Sequence, residues 1–427
     1  MDTWSRTLAG ERVYAFETLT ANQQGFLITL LNRCFPLAVY EEHQRRRRQA
    51  QRNLINTRQM IEGALQEFPY CIESTNVSPQ PDCLAGYGIL LTAGGEGERL
   101  RLSLQEKGFQ ATALVDFTKA AFPLTGFFED FGTLQINLAL VADICAQFKV
   151  DIPVVVTTGP EGSTTARVIA DTIARHAGFG IKHVKVICQG ERLHLTTNEQ
   201  IAFKIINGMP YPVTHPDETG GPIMKLKAIE DGSAQNTLDW FAALDADKII
   251  VLQGTAVYHP DLIPVMAEAA RNYDGLGVGI LRSRFDVDDP FGSFVVLKTA
   301  GKEQLVILEQ EVRSSKTCAL KDHSRRYFLP YNTGFYAFDR EVLQLNDLPD
   351  YATPPKEVLP DLPRSPKVGY AATDILALTR KPAVLAVRPD RYGVVKKADD
   401  LERLAKMAKQ FGLDEVCRRV LSRYNTR

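Results

Sequence analysis

The stretch GILLTAGGEGERL, residues 88–100, decides the fold that we predict for this chain. Its apolar run Ile89–Leu91 is bounded by glycines, a pattern typical of a buried strand. The turn that follows holds three glycines, Gly94, Gly95 and Gly97. Such a turn leaves backbone N–H groups uncovered and can wrap the phosphates of a nucleotide, and Arg99 adds a fixed positive charge suited to phosphate oxygens. A glycine-rich turn without a ligand is the alternative interpretation.

Apolar strands alternate with helical segments after this stretch. The expected strands are 152–157, Val184–Cys188 and 248–252. The expected helices are 134–148, 162–177 and 233–244. Such alternation predicts an α/β domain with a mixed, mainly parallel sheet and helices on both faces. Ligands of these sheets bind outside the carboxyl ends of the strands, so the glycine loop and the segments after later strands should face one cleft.

Composition and charge exclude several classes of protein. The 427 residues are 44% hydrophobic and 24% charged, and the formal net charge is -1. No global field therefore draws the chain to nucleic acid or to a membrane, and we expect neither partner. The seven scattered cysteines form no C-x-x-C pair, which favours a reducing compartment. No apolar run approaches the roughly 20 residues that span a bilayer, and the first residues lack an apolar signal region. We expect a cytoplasmic protein.

The two ends of the chain show helical periodicity. Apolar residues recur at three- and four-residue spacing between residues 18 and 68, and a Pro/Gly-containing linker covers 76–86. We predict a helical N-terminal region over 1–80, a catalytic domain over 81–400 and a helical C-terminal segment over 401–427.

Two charged patterns have open interpretations. The run Arg45–Arg48 points in all directions around a helix and cannot form one binding face, so we expect a solvated helix, with a patch for nucleic acid or another anionic partner as the alternative. Glu309 and Glu311 alternate at the end of an expected hairpin over 301–312 and would share one face of a strand. A solvent face and a metal or sugar-hydroxyl role are both compatible with that pair.

A lysine follows the glycine loop by about twenty residues, in FTKAAFPL, residues 117–124. A glycine loop after the first strand and then Lys119 before an apolar-Pro segment resembles the UDP-sugar pyrophosphorylase family. This family includes UTP–glucose-1-phosphate uridylyltransferases and UDP-N-acetylglucosamine pyrophosphorylases. Its loop reads G-G-x-G-T-R-L, which residues 94–100 match except that Glu98 replaces the Thr. A carboxylate there would repel bound phosphates unless it points to solvent or meets a metal.

The C-terminal part carries the most specific match. The family reads V-x-R-x-R-F-x-P-V-K-x-x-x-D-L, and seven residues keep this spacing: Val387, Arg391, Tyr392, Val395, Lys396, Asp400 and Leu401. The segment 285–296 also resembles the family, with Gly292 as the matching residue. The resemblance implies that Lys396 holds the sugar phosphate, and that Asn332 hydrogen-bonds sugar hydroxyls or an acetamido group. A turn is the alternative for Asn332.

A segment near the middle resembles the family's nucleotide-base pocket, P-x-G-x-G-G. Gly220 and Gly221 fit it, whereas Glu218 stands where the first glycine would be. If the loop needs a positive φ at that position, Glu218 costs strain that glycine does not. His215 is a candidate contact or an incidental polar residue.

The expected metal ligand is absent from its usual place. The family's Asp, which binds Mg²⁺ at the end of a strand, is replaced by Thr255. A hydroxyl is a weak ligand for a hard cation beside a carboxylate. Asp261 could reach in, and Asp374 is either a ligand or a helix cap. The metal is then held mainly by substrate phosphates, or another carboxylate substitutes, or activity has been lost.

The resemblance implies a Rossmann-like nucleotidyltransferase fold and one reaction. UTP and a sugar 1-phosphate would give a UDP-sugar and pyrophosphate, with Mg²⁺ bridging phosphates and with Arg99 and Lys119 neutralising those of the nucleotide. A catalytically weakened homologue that binds a nucleotide or nucleotide sugar is the alternative. A glycosyltransferase is a third, since Asp245-Ala246-Asp247 has the letters of a D-x-D motif but precedes its strand.

Overall fold

A computed structural model describes residues 3–95, 97–229, 233–284, 291–353, 355 and 364–424. The described residues contain thirteen α-helices: α1 Arg6–Arg12, α2 Ala21–Cys34, α3 Leu37–Gly63, α4 Glu98–Glu106, α5 Thr133–Phe148, α6 Thr164–Arg175, α7 Gly221–Lys225, α8 Thr237–Ala242, α9 Leu262–Ala270, α10 Ser315–Ala319, α11 Arg340–Leu345, α12 Asp399–Gln410 and α13 Leu413–Tyr424.

The same residues contain nineteen strands: β1 Leu65–Glu67, β2 Cys71–Glu73, β3 Tyr87–Thr92, β4 Val154–Thr158, β5 Val184–Cys188, β6 Glu191–Leu193, β7 Phe203–Ile206, β8 Met209–Pro212, β9 Thr214–Pro216, β10 Lys248–Gln253, β11 Ala256–Tyr258, β12 Gly275–Arg282, β13 Ser293–Thr299, β14 Lys302–Leu308, β15 Phe328–Asp339, β16 Asp350–Ala352, β17 Val368–Tyr370, β18 Pro382–Val387 and β19 Tyr392–Val394.

The chain folds into two compact units that are not continuous in sequence. The first unit comprises Met1–Gly63, Gly190–Gly221 and Leu348–Ala372, and the second comprises Ala64–Gln189, Pro222–Asp347 and Thr373–Arg427. The three-part division at residues 80 and 400 stays a prediction. No helix in the described part of the chain is long and apolar enough to cross a membrane.

The second unit is built on a large mixed sheet, with strand order β2-β18-β12-β15-β10-β3-β4-β5 along its main path. Strand β3 lies between β10 and β4 and is parallel to both, whereas β15 is antiparallel to β10 and β12. Ile89, Leu90 and Leu91 in β3 are fully buried, as expected for a strand covered on both faces. The predicted α/β fold with a mainly parallel sheet is confirmed.

The register of the central strands fixes where a ligand can bind. Thr92, the last residue of β3, pairs with Gln253 at the end of β10 and with Thr157 near the end of β4. Since all three strands run in the same direction, their carboxyl ends meet at one edge, and the glycine loop leaves the sheet there. The predicted C-terminal helices also belong to this unit, where Arg419 of α13 pairs with the buried Asp143 of α5 at 2.6 Å.

The first unit packs three N-terminal helices on short strands. Its core joins Trp4, Leu27 and Tyr40 with Leu195 and Ile201 from a distant part of the chain. Helix α2 begins after a capping box in which Thr20 and Gln23 satisfy each other's backbone N–H groups. The helical periodicity predicted for the N-terminal region is therefore confirmed over residues 21–63.

As predicted, the run Arg45–Arg48 does not form one binding face. Each side chain has its own acceptor: Arg45 on Glu42, Arg46 on Asp350, Arg47 on the carbonyl of Leu195 and Arg48 on Glu199. The expectation of a solvated helix is wrong for Arg47, which is only 2% exposed. Other residues of the first unit cover α3 at this one position.

The expected strand over Glu309 and Glu311 is also wrong. Strand β14 ends at Leu308, and Gln310–Val312 forms a 3₁₀ turn. The N–H of Val312 donates to the carbonyl of Glu309 at 3.1 Å, which closes the turn and ends the two-residue alternation of faces. The helix predicted after Thr373 is a 3₁₀ helix, Ala372–Leu378.

Candidate functional site

The glycine loop is shaped by close packing at two of its three predicted positions. A Cβ at Gly94 would lie 2.5 Å from the carbonyl oxygen of Thr158 and would also meet the side chain of Gln189. Gly97 has a left-handed φ of 68° as it caps α4, and a Cβ there would lie 2.6 Å from the Cβ of Lys119. No other residue fits these positions without a shift of the backbone or of Lys119.

Gly95 is different, because packing does not require it to be glycine. It is exposed, and a Cβ added to it would meet no described atom within 4 Å. An open glycine at the carboxyl edge of a parallel sheet leaves its N–H accessible to a bound anion. The neighbouring Glu98 is exposed in the first turn of α4, so the carboxylate that departs from the family pattern faces solvent.

The structure brings the three predicted cations into one electrostatic group. Lys119 is half-buried, and burial lowers the pKa of its ammonium group to about 8. The nearby charge of Lys396 lowers that pKa further, as does Arg99, whereas Asp400 opposes the effect. Positive charges held close together favour a bound anion.

Lys396 is positioned by a pair of short strands and a helix start. Strand β19 pairs with β11, and the N–H of Val395 donates to the carbonyl of Thr255 at 3.0 Å. The backbone N–H of Lys396 then donates to Asp400 at 2.8 Å in the first turn of α12. The ammonium of Lys396 lies 3.4 Å from the centre of the Phe291 ring, a cation–π contact. These contacts therefore fix the position of the Lys396 backbone.

Asn332 lies on β15 and is held by its own strand. Its backbone N–H donates to the carbonyl of Gly292 at 2.8 Å, its Oδ1 accepts from the N–H of Gly334 at 2.9 Å, and its Nδ2 donates to the hydroxyl of Tyr336 at 2.8 Å. One Nδ2 hydrogen remains for a ligand. Residues 285–290 of the segment before Gly292 lie outside the described residues.

Two carboxylates act electrostatically on the same tyrosine. Burial raises the pKa of the Tyr336 hydroxyl, and the carboxylates of Glu309 and Asp374 raise it further against the hydrogen bond from Asn332. Burial also raises the pKa of Asp374 to about 6. Asp374 accepts no hydrogen bond from a described residue, so the prediction that it caps a helix is not supported by a capping contact.

Gly220 and Gly221 belong to the first unit. The N–H of Gly220 donates to the carbonyl of Tyr370 at 2.8 Å, and a Cβ on Gly220 would lie 2.8 Å from that of Tyr370. Glu218 has a φ of 58°, so the strain expected where the family has glycine is present. His215 is buried in β9, with its Nδ1 2.9 Å from the carbonyl of Pro216.

The end of β10 does not offer a carboxylate site for a hard cation. Thr255 stands there, and the substitute Asp261 is occupied by Arg391 at 2.7 Å and by His259 at 2.5 Å. In the stretches of chain that the structure describes, no three His, Cys, Asp or Glu side chains are grouped so that they could hold a metal. These side chains do not fit a protein-bound Mg²⁺ ion.

Sequence reasoning missed two glutamines that pack on glycines of the site. Gln189, 8% exposed, lies against Gly94, and Gln253 lies against Gly334. Each stands at the carboxyl end of a sheet strand, since β5 ends at Cys188 and β10 ends at Gln253. A polar residue in that position is the signal that would have found them.

Comparisons with known proteins show the fold. No protein-family model and no curated protein matches the chain. A UDP-N-acetylglucosamine pyrophosphorylase from Trypanosoma brucei is similar in structure, with a TM-score of 0.64 at 13% identity over 95% of this chain and 85% of the other. A variant of the Leishmania major UDP-glucose pyrophosphorylase bound to UDP-glucose has a TM-score of 0.57 at 11% identity, over 80% and 70%. At such identities the likeness establishes the fold alone.

Proposed function

We propose that this chain belongs to the UDP-sugar pyrophosphorylases and transfers a uridylyl group from UTP to a sugar 1-phosphate. The observation that carries the proposal is the grouping of Arg99, Lys119 and Lys396 beside the glycine loop. A nucleotide triphosphate and a sugar phosphate together bring more negative charge than one cation can neutralise. The fold shared with the Trypanosoma UDP-N-acetylglucosamine pyrophosphorylase and the Leishmania UDP-glucose pyrophosphorylase supports the choice of a uridine nucleotide.

The nucleotide is bound by the loop and by two of the cations. The open N–H of Gly95 donates to phosphate oxygens, and Arg99 and Lys119 balance their charge. A bound phosphate stabilises the charged form of Lys119, whose pKa is low before binding because the ammonium is desolvated.

Transfer is a single displacement at phosphorus. Lys396 binds the sugar phosphate and orients one oxygen toward the α-phosphorus of UTP. A new bond forms between that oxygen and the α-phosphorus while the bond to the β-phosphate oxygen breaks, and pyrophosphate leaves with the electron pair. Both reacting phosphates are already ionised at neutral pH, so no side chain has to move a proton. Positioning and charge neutralisation provide the rate.

Mg²⁺ enters this proposal as part of the UTP substrate, bound by phosphate oxygens rather than by a cluster of protein carboxylates. It neutralises phosphate charge. Asn332 is proposed to donate its remaining Nδ2 hydrogen to a sugar hydroxyl or acetamido oxygen. We also propose a cytoplasmic location, which agrees with seven cysteines that are all free thiols.

One observation favours a second candidate function, a nucleotide-binding regulatory protein with little turnover. Thr255 supplies no carboxylate at the end of β10, and Asp261 is engaged by Arg391. This candidate predicts that UTP or a UDP-sugar binds with little dependence on Mg²⁺ and that no product forms.

Pyrophosphate release from UTP with a panel of sugar 1-phosphates tests the proposal. The matched variants are Lys396→Gln and Lys397→Gln, which remove the same charge from adjacent residues, of which Lys397 is exposed. We expect release by the wild type and by Lys397→Gln, and a loss of at least about a hundredfold in Lys396→Gln. If no sugar 1-phosphate of the panel leads to pyrophosphate release while UTP still raises the melting temperature, the result would favour the nucleotide-binding regulatory protein instead.

A further inference from the structure

The side chain of Lys396 lies against a pair of aromatic rings to which the proposed reaction gives no role. The rings of Phe291 and Tyr331 are stacked, with centroids 4.7 Å apart and planes at 26°. The ammonium of Lys396 lies 3.4 Å from the centre of Phe291, and the guanidinium carbon of Arg282 lies 4.7 Å from the centre of Tyr331. Since each ring covers one face of the other, the ammonium occupies the outer face of Phe291. We call these four side chains the aromatic stack.

Strands of the large sheet hold the two rings in place. Tyr331 lies in β15 and is paired on both sides, with Ile280 of β12 and with Ser293 of β13. Phe291 stands two residues before Ser293, and its carbonyl accepts a hydrogen bond from Nη1 of Arg313 at 3.0 Å. Groups supported by strands and by their own packing are placed more precisely than groups on loops. The aromatic stack is therefore a firm support for a flexible side chain.

The aromatic stack also connects the two residues that we assign to the sugar 1-phosphate. Phe291 is followed by Gly292, whose carbonyl accepts the N–H of Asn332 at 2.8 Å. Tyr331 directly precedes Asn332 in β15. The rings are thus attached to the backbone around the proposed sugar contact, and one of them touches the lysine proposed to bind the phosphate. The position of Lys396 is linked in this way to that of Asn332.

Lys396 needs a partner that holds its ammonium without neutralising it. A lysine ammonium is a point charge on a flexible stem of four carbons. The charges of Lys396 and Arg99 both act on Lys119, so these cations repel one another until an anion binds. A carboxylate would hold the ammonium, but it would also cancel its charge and repel an incoming phosphate. An aromatic ring attracts the ammonium through its electron-rich face and leaves the positive charge for the substrate.

We propose that Phe291 is a positioning residue for Lys396, with Tyr331 supporting the opposite face of its ring. The ring holds the ammonium where it meets the phosphate of the sugar 1-phosphate before that substrate arrives. The lysine stem is then ordered on folding, so that less conformational entropy is lost on binding. This role rests on the proposed uridylyl transfer for the identity of the substrate, whereas the contact between Phe291 and Lys396 can be tested without turnover.

NMR of lysine-labelled protein observes the contact directly. The ring current of Phe291 should displace the Cε–Hε signal of Lys396, identified by its loss in Lys396→Gln, upfield of the signals of other lysines. Phe291→Leu should return the signal to the ordinary lysine region, whereas Phe291→Tyr should keep it displaced because a ring is retained. A signal that stays at the same position in Phe291→Leu would overturn the proposal, whether or not the protein transfers uridylyl groups.

Kinetics of pyrophosphate release then measure what the contact does. Phe291→Leu should raise the KM for the sugar 1-phosphate about tenfold and leave the KM for UTP unchanged. The matched control is Phe128→Leu, which removes another half-buried ring with a cation–π contact, to Arg418 at 5.5 Å. The control should change neither KM, and Phe291→Tyr should behave like the wild type. A rise in both KM values alike would contradict a role specific to Lys396.

A double-mutant cycle separates positioning from a structural role. In the Lys396→Gln background, Phe291→Leu should have no further effect on the KM for the sugar 1-phosphate, because the group that the ring holds is gone. The same tenfold rise in that background would refute the positioning role.

A binding measurement keeps this role distinct from the proposed function. If the wild type releases no pyrophosphate, uridylyl transfer fails, and the comparison is made with glucose 1-phosphate and N-acetylglucosamine 1-phosphate as NMR probes. Moving the Lys396 signal should take about tenfold more of the bound probe in Phe291→Leu than in the wild type. Equal concentrations in the two proteins, or no movement with either probe, would overturn the proposal.

Discussion

Raising the pH should weaken nucleotide binding, because Lys119 loses its proton near pH 8. Burial and the charge of Lys396 lower the pKa of this lysine to about 8. About nine molecules in ten then carry the charge at pH 7 and about one in ten at pH 9. The phosphates are already ionised in this range, since their last pKa lies near about 6. Bound phosphate favours the charged lysine, so UTP affinity should fall about tenfold between pH 7 and pH 9, or about 1.4 kcal/mol.

Calorimetric titration with UTP from about pH 6.5 to pH 9.5 measures this effect directly. Lys119→Gln should bind UTP more weakly at pH 7 and should lose the dependence on pH. Lys397→Gln removes the same charge from an exposed position and should keep the tenfold decline. Wild-type affinity that stays constant from pH 7 to pH 9, or a decline that persists unchanged in Lys119→Gln, would refute the assignment of this lysine to the nucleotide phosphates.

Four single substitutions at the site have distinct expected outcomes. Gly94→Ala should lower the free energy of unfolding in urea by about 1–3 kcal/mol, since its Cβ meets the Thr158 carbonyl. Gly95→Val should unfold like the wild type, because its side chain meets no described atom. It should bind UTP at least about tenfold more weakly, because the valine side chain occupies the space of the bound phosphate. A pKa of about 6 for Asp374, raised by burial, means that the ionised carboxylate destabilises the fold as pH rises through about 6. Asp374→Asn should therefore stabilise the protein at pH 8, by at most about 3 kcal/mol, and hardly at pH 4. Thr255→Asp should bind Mn²⁺ without nucleotide, by electron paramagnetic resonance, whereas the wild type should not.

The central strand and its loop could be predicted because their signals are local. The adjacent apolar residues Ile89–Leu91 predict the strand, and the glycines after them predict the turn. The amphipathic helices α12 and α13 were equally visible from their periodicity. Strain at Glu218 was expected only on the condition of a positive φ, which the side chain itself does not reveal.

What could not be predicted depends on contacts between distant residues. Arg45 and Arg47 have nearly the same local sequence, yet one is exposed and the other is buried against Leu195. Which of them is covered depends on Leu195, which lies 148 residues further along the chain. The packing of Gln189 on Gly94 is set in the same way by the pairing of β4 with both β3 and β5. The alternation that ends at Glu309 fits a strand or a turn equally well until the backbone hydrogen bond of Val312 is known.

The most direct test of uridylyl transfer is ³¹P NMR of the full chain with UTP, Mg²⁺ and a sugar 1-phosphate. We expect the two phosphorus signals of a UDP-sugar and the signal of pyrophosphate to appear in equal amounts as UTP and sugar phosphate disappear. Lys396→Gln should slow the growth of the UDP-sugar and pyrophosphate signals by the same factor, whereas Lys397→Gln should not. UMP or UDP formed at the same rate without any sugar phosphate, or no change in the spectrum over hours, would contradict it.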